Sequence, residues 1–354
     1  MKKSFLITTG GSGGHVIPAL ILYEHLSKEA NVIITTDKRG LKYLDDEFYK
    51  CKIINTPRLD NILLLPFNMI KIIILTLKSL FLLKNKKVEK IFSTGGYMSL
   101  PLILAGKILK LEIFLLEPNQ VLGRANKYFL SSCKKIFCYN KKIINFPKNL
   151  LNKMVIINPL VRENIYKLKS SGRVKDKFTI LIIGGSQSAS IFDMNLKNSI
   201  VNISKKKPIK IIQQTNKENV SYLKDFYSKN NIENKIFNFE NNFENIIKDA
   251  DLCITRSGAS TLAELSVINI PFIAVPLPTS KDNHQLENAN FYKENDCCWV
   301  IEQTNFEEKI EYLLNEILTN KIEYLKKKEN LKKLNYQNTW INVNQKILEI
   351  INEN

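Results

Sequence analysis

The sequence predicts an α/β chain made of two Rossmann-like halves, each with a mostly parallel sheet, facing a cleft. Three observations carry that expectation. Short apolar runs of β character alternate with amphipathic helical runs, the signature of βα crossovers. The pattern restarts mid-chain, after Asn158-Pro159-Leu160-Val161-Arg162 and a polar segment over 167–177. Nine of only 13 glycines fall in four places, each after an apolar run: Gly10, Gly11, Gly13 and Gly14; Gly95 and Gly96; Gly184 and Gly185; Gly258. Ligands of doubly wound sheets bind at the carboxyl ends of strands. A chain sparing with glycine that spends it there has a site there.

In order, the strands are expected at 5–7, 31–36, 52–55, 90–93, 112–116, 136–139 and 155–157, then at 178–183, 209–213, 236–239, 252–255, 272–275 and 299–301. Helices are expected between them, notably over 98–109 and 123–130, and a Lys-rich helical tail follows from Phe306. No period of 20–50 residues marks a solenoid.

At 354 residues the chain has room for two domains with separate cores. With 44% hydrophobic and 24% charged residues it is globular rather than disordered. Its 52 Lys and Arg against 34 Asp and Glu give a net charge of +18, which favours an anionic partner: nucleic acid, anionic lipid or a phosphorylated substrate. Without an arginine-rich tract or zinc-finger spacing, nucleic acid is not expected. Cys51, Cys133, Cys138, Cys253, Cys297 and Cys298 form no CxxC pair and read as buried, reduced thiols of a cytosolic protein. The apolar run after Met1-Lys2-Lys3 is too short for a signal peptide.

The first strand runs into Gly10-Gly11-Ser12-Gly13-Gly14-His15 and then an amphipathic helix. Bare backbone N–H groups beside a helix N-terminus make a seat for a phosphate or another anion. The positive end of the helix favours a neutral imidazole at His15, which suits a general base. The loop is neither a P-loop nor the dinucleotide fingerprint, because no Gly-Lys-Ser/Thr follows and Val16 stands where the last glycine would be. The plain alternative is a tight βα turn with an uninvolved histidine.

The stretch 62–83 is long enough for a membrane span but carries Pro66, Asn68, Lys71 and Lys78. Lys71 and Lys78 share one helical face, apolar side chains occupy the rest, and Lys84, Lys86 and Lys87 follow. That pattern predicts a helix lying on an anionic membrane surface, the alternative being a helix packed on its own sheet. Downstream, Thr255-Arg256-Ser257-Gly258-Ala259-Ser260-Thr261-Leu262-Ala263-Glu264 reads as strand, turn and helix start. Its N–H groups suit a diphosphate, and Glu264 suits the hydroxyls of a ribose. Asp282-Asn283-His284-Gln285 suits the hydroxyls of a sugar. Helix capping by Ser257, Ser260, Asp282 or Asn283 is the alternative for both. No Asp-x-Asp motif stands at the end of a predicted strand, so neither a tightly bound metal nor a cofactor is expected.

The glycine loop with His15, Gly95-Gly96-Tyr97, Gly184-Gly185-Ser186-Gln187, Arg256-Ser257-Gly258-Ala259 through Glu264, and Asp282-Asn283-His284-Gln285 with Asn288-Ala289 occur in that order. Together they resemble the MurG glycosyltransferases of bacterial peptidoglycan synthesis over nearly the whole chain. The resemblance implies the GT-B fold. It implies an acceptor-binding, membrane-docking domain over 1–160, joined by the last helix at about 338–354, and a UDP-sugar domain over 161–337. It implies inverting transfer of N-acetylglucosamine from UDP-N-acetylglucosamine to the muramyl 4-hydroxyl of lipid I, giving lipid II, at the cytoplasmic face of the cell membrane. The implied donor contacts are Ser12, Gly13, Gly14 and Asn119, with Arg162 and Ser186 at the diphosphate and the helix start Ala259, Ser260, Thr261, Leu262 and Ala263. Glu264 would take the ribose, Gln285 the sugar hydroxyls, and the backbone near Phe239-Glu240 the uracil. His15 is the implied base. Glu117 is the other candidate, with His15 then orienting the acceptor. Leu116-Glu117-Pro118-Asn119 stands where the family usually has His-Glu-Gln-Asn. Another GT-B glycolipid transferase, a sugar-nucleotide epimerase and a non-catalytic binding protein are the competing readings.

Overall fold

The structure, a computed structural model, describes residues 2–44, 46–49, 51–57, 62–168, 177–184, 189–240 and 242–353. The chain divides into two compact units, Met1–Leu160 with Trp340–Asn354, and Val161–Thr339.

The first unit carries β1 (Lys3–Thr8), β2 (Ala30–Thr36), β3 (Lys52–Ile53), β4 (Lys90–Ser93), β5 (Glu112–Glu117), β6 (Lys135–Cys138) and β7 (Met154–Ile156). They pair in the order β3-β2-β1-β4-β5-β6-β7, all parallel. The second unit carries β8 (Phe178–Ile183), β9 (Ile209–Gln214), β10 (Glu233–Phe237), β11 (Leu252–Thr255), β12 (Phe272–Ala274) and β13 (Cys298–Val300). Their order is β10-β9-β8-β11-β12-β13, again all parallel. In each sheet the chain builds outward to one side and then resumes on the other. β1 beside β4, and β8 beside β11, are therefore topological switch points.

The strand centres match the apolar runs, and the differences fall at edges and helix starts. β10 is Glu233–Phe237 rather than 236–239. As an edge strand it needs no apolar flank, and its charged Glu233 pairs with Lys177 and Lys210. β3, also an edge, is only Lys52–Ile53. The expected helix over 98–109 opens as a 3₁₀ turn, Tyr97–Ser99, and becomes α-helical at Leu100–Ile108, with Pro101 in its first turn. Pro66 likewise starts the helix Leu65–Asn85 instead of interrupting it.

Phenylalanines bind the first sheet together. Phe92 and Phe114 stack at 5.2 Å and 15°, Phe114 and Phe137 at 6.0 Å and 8°, and Phe5 meets Phe92 at 5.7 Å. This face is covered by the helix Gly13–Leu26 and by Val343, Ile347, Ile350 and Ile351 of the C-terminal helix Trp340–Asn352, which share one helical face. Trp340 stacks on buried His25 at 3.7 Å. Among the described residues the six cysteines form no disulfide, and five of them are buried. Burial pushes the Cys133 and Cys297 thiols up to about 11, so they pack rather than react.

The helix Leu65–Asn85 is inverted relative to a helix of a soluble fold. Asn68, Ile72, Thr76, Ser79 and Leu83 face inward, while Phe67, Ile70, Ile73, Ile74, Leu77 and Phe81 face out, Phe81 at 70% exposure. Leu63 just before it is 90% exposed. Its length and composition suffice to cross a membrane.

Removing the central ring of the aromatic ladder, Phe114→Ala, should cost about 3–5 kcal/mol by lost transfer energy and cavity formation. Chemical denaturation monitored on the first unit measures it.

Candidate functional site

At the first switch point, Gly10 (φ +151) and Gly11 (φ +80) turn the end of β1 into the helix Gly13–Leu26. A Cβ at Gly10 would stand 2.6 Å from Asp37 Oδ1, so glycine is required there. Asp37, just past the end of β2, fixes the loop. Its Oδ1 accepts the N–H groups of Gly11 (2.8 Å) and Gly40 (2.9 Å), and its Oδ2 accepts Nε (2.8 Å) and Nη2 (2.6 Å) of Arg39. Burial alone would raise the Asp37 carboxyl, but these donors outweigh it and hold the group below its ordinary range.

Ser12 is the N-cap of the helix and makes no side-chain cap bond. The N–H groups of Gly13 and Gly14 belong to the first turn, where no intrahelical carbonyl can reach them. Gly14 is exposed there and Gly13 half-buried. His15 follows, and its Nδ1 donates to the Thr94 carbonyl at 2.8 Å. A carbonyl only accepts, so Nδ1 carries a proton, and in the neutral form of such a ring the lone pair is on Nε2. Thr94 follows β4, and its hydroxyl donates to Thr9 at 2.8 Å, joining the ends of β1 and β4. Gly95 (φ +92) lies against the histidine, where a Cβ would come 3.3 Å from His15 Cε1. The Gly95-Gly96 turn is thus shaped to the ring of the residue it faces.

Glu117, the other candidate base, ends β5 and is buried. Its Oε1 accepts the backbone N–H and Nδ2 of Asn119 (3.2 and 3.0 Å). Its Oε2 accepts the Gly123 N–H (2.7 Å) and Asn126 Nδ2 (2.9 Å). Four donors converge on one carboxylate, which pins the loop 118–123 and with it Asn119.

In the second unit, Ser186, with Gly185 and Gln187, lies outside the described residues. β8 ends beside β11, after which Gly258 caps the helix Ala259–Val267. The cap makes no side-chain bond, and Ser257 and Ser260 do not cap this helix. Ala259, Ser260 and Thr261 are half-buried at its first turn, Leu262 and Ala263 are buried beneath, and a Cβ at Gly258 would meet nothing within 4 Å. The fold itself does not demand glycine at 258, and the space above this turn is open.

Two residues read separately from the sequence come together. Arg162 Nε and Nη2 reach Glu264 Oε1 and Oε2 at 2.6 and 2.7 Å, a two-pronged pair, and the guanidinium lies 5.0 Å from the Phe243 ring centroid. Glu264 is 3% exposed and Arg162 30%. Gln285 Oε1 accepts the N–H groups of Ser257 (3.2 Å) and Leu277 (3.0 Å), tying the loops after β11 and β12. A sugar contact from Gln285 falls to its NH₂. Asn283 starts the next helix without a side-chain cap bond. Glu240, beyond β10, pairs with Lys235 at 3.5 Å. Among the described residues no group of three or more His, Cys, Asp or Glu is placed to hold a metal ion.

Sequence reasoning missed Asp37, Arg39, Asn126 and the structural part of Arg256. The Arg256 guanidinium is buried on the carbonyls of Val275 and Pro276 and on Gln303 Oε1, and burial brings it down to about 10. Asp37 had a signal: an acid ending the second strand is where dinucleotide folds bind ribose. Here that acid is committed to the glycine loop.

Residues 5–138 match the glycosyltransferase family 28 N-terminal domain, and residues 179–339 match the corresponding C-terminal domain. The chain is 48% identical, over the whole of both sequences, to a Pelagibacter ubique protein named UDP-N-acetylglucosamine–N-acetylmuramyl-(pentapeptide) pyrophosphoryl-undecaprenol N-acetylglucosamine transferase. A Rickettsia canadensis protein of the same name is 40% identical, covering 86% of this chain and 87% of its own. Among solved structures, MurG of Acinetobacter baumannii superposes with a TM-score of 0.78 over 99% of each chain at 21% identity, a likeness of fold. Two parallel sheets with glycine turns at their switch points, together with identity at this level from end to end, make this chain a member of the MurG family of GT-B glycosyltransferases.

Proposed function

We infer that this chain transfers N-acetylglucosamine from UDP-N-acetylglucosamine to the muramyl 4-hydroxyl of lipid I, with inversion, while docked on the cytoplasmic face of the membrane. The observation that carries the reaction is the 48% identity, without truncation on either side, to a relative named for that transfer.

The geometry supports His15 as the base. With Nδ1–H held by the Thr94 carbonyl, Nε2 can take only one thing from an acceptor hydroxyl, its proton. As the proton leaves, the acceptor oxygen attacks C1 of the donor sugar from the face opposite UDP. The C1–O bond breaks, and its electron pair goes to the UDP diphosphate. Negative charge grows there, and donors already fixed in place stabilise it best. The first-turn N–H groups of Ala259, Ser260 and Thr261 and the Arg162 guanidinium fill that role, with Ser186 as a further proposed contact, whereas the Leu262 N–H is bonded to the Gly258 carbonyl and Ala263 lies beneath. Arg162 also aims Glu264, whose remaining lone pairs accept from the ribose hydroxyls. Glu240 and its neighbours present backbone to uracil. In the first unit Ser12, Gly13, Gly14 and Asn119 are the proposed donor contacts, and in the second the Gln285 NH₂ is proposed for the sugar hydroxyls. The Glu117 carboxylate is spent on Asn119, Gly123 and Asn126 and acts by positioning the loop.

For the membrane, support comes from the helix Leu65–Asn85. Its inward stripe is tied to the first unit, so it rests on a bilayer rather than crossing one. Lys71, Lys78, Lys84, Lys86 and Lys87 are exposed along it and suit anionic headgroups. We keep nucleic acid out of the partner set.

Incubated with UDP-N-acetylglucosamine and lipid I in detergent, the protein should add one N-acetylhexosamine to the lipid, read by mass spectrometry. Lipid I returned unchanged would sink this reading. His15→Ala should lower turnover by about 10²–10⁴-fold while donor affinity holds, the usual span for a general base. Glu117→Gln should instead lower stability by about 1–3 kcal/mol, because an amide NH₂ would meet N–H donors. A Glu117→Gln variant that melts like the wild type but does not turn over would reverse the two roles. Changing Phe67, Ile74 and Phe81 together to Ser should abolish cosedimentation with vesicles containing anionic lipid. Undiminished binding would remove the helix from the docking surface.

A further inference from the structure

We propose that Arg39 binds a phosphate oxygen of the acceptor's diphosphate and so selects a diphosphate-linked acceptor. The proposal rests on the function proposed above.

Asp37-Lys38-Arg39-Gly40 leaves the end of β2, the strand beside β1. The carboxylate that fixes the glycine loop also fixes this arginine. Asp37 is 6% exposed, and both its contacts from Arg39 arrive along the Nε–Nη2 edge. The guanidinium lies 5.4 Å from the Tyr97 ring centroid. A side-chain hydrogen bond to Tyr97 holds it as well, and its side chain is still 39% exposed. An ordinary surface arginine loses its rotamer freedom when it binds an anion. This one has lost it already, and its planar fork suits phosphate.

Its place on the surface names the ligand. A Cβ at Gly11 would stand 3.8 Å from Arg39 Nη2 and 3.0 Å from Met98 Cε. A Cβ at Gly96 would stand 2.8 Å from the same Met98 Cε and 3.8 Å from His15 Cδ2. Arg39, Gly11, Met98, Gly96 and His15 therefore form one continuous run, with the arginine at one end and the base at the other. A hexose phosphorylated at C1 has its 4-hydroxyl on the opposite side of the ring. With that hydroxyl at His15 Nε2, an acceptor laid along the run would carry its anomeric phosphates toward Arg39. Met98 itself is buried, and a Cβ at Gly11 or Gly96 would run into it, so backbone borders the run at those two positions.

The test is titration of wild type, Arg39→Gln and Arg39→Lys with lipid I and with the same glycolipid carrying one phosphate. Neutral detergent without anionic lipid keeps bilayer phosphate from taking the site. The wild type should bind the diphosphate form more tightly. Arg39→Gln should weaken lipid I binding about tenfold, the scale of one charge-assisted hydrogen bond, and erase the difference between the two lipids. Arg39→Lys should restore part of it, and affinity for UDP-N-acetylglucosamine should hold in all three. A merely structural arginine would weaken both lipids equally and lower the melting temperature of both variants. That result, or an undiminished preference in Arg39→Gln, overturns the proposal while wild-type transfer to lipid I leaves the function standing. A wild type that neither binds nor modifies lipid I overturns both.

Discussion

In a sheet of parallel strands every connection must cross a face, and crossovers keep one hand. Where the chain stops building outward in one direction and resumes in the other, neighbouring strands send their connections to opposite faces and their ends stay uncovered. That constraint fixes where β1 meets β4 and where β8 meets β11, and the rest of the site depends on it. Glycine collects at 10–11 and 95–96 because a Cβ there would run into Asp37, Met98 or His15. His15 faces the end of β4 because it begins the helix that leaves the end of β1. The Thr94 carbonyl is within reach of its ring because those two strands are neighbours.

Three carboxylates, two in the first unit and one in the second, are committed to internal partners. Asp37 holds the first glycine loop and Arg39, Glu117 holds the loop carrying Asn119, and Glu264 is gripped by Arg162. Asp37 and Glu117 sit at or just past a strand end, where turns leave unpaired N–H groups, and each carboxylate satisfies several at once, whereas Glu264 lies within a helix and is met by the Arg162 guanidinium. Such an arrangement costs desolvation, which the converging donors offset, as the depressed Asp37 carboxyl records. The result is a set of loops that need not reorganise when charge moves, which is the condition for electrostatic stabilisation of a leaving group.

Much of this was legible in the sequence, and the reasons differ by feature. Apolar period and glycine placement gave the strands and both switch points, because they reflect burial and backbone freedom directly. The edges β3 and β10 were misjudged because an edge strand pairs on one side only and needs no apolar run. The Arg162–Glu264 pair was invisible because its members stand 102 residues apart and each has a plausible ligand of its own. Glu117 could not be separated from His15 as a base, since a carboxylate's partners depend on how the loop after it folds. The glycine at 258 works the other way: the structure gives it no internal reason, so its sequence signal points to what binds above it.

The helix Leu65–Asn85 shows which force would govern docking on a bilayer. Full burial of a Leu, Ile or Phe side chain is worth about 1.5–3 kcal/mol, so half-exposed ones still have roughly 1 kcal/mol each to gain. Leu63, Leu64, Phe67, Ile70, Ile73, Leu77 and Phe81, each more than half exposed, together outweigh Lys71, Lys78, Lys84, Lys86 and Lys87 at about 1 kcal/mol apiece, and salt weakens only the lysines. On this reckoning the apolar face sets the strength of attachment, and the lysines set its orientation and its preference for anionic lipid. Inserting the helix across the bilayer would strip Asn68, Ile72, Thr76, Ser79 and Leu83 from the first unit and put three polar side chains into hydrocarbon. Lying flat would avoid that cost.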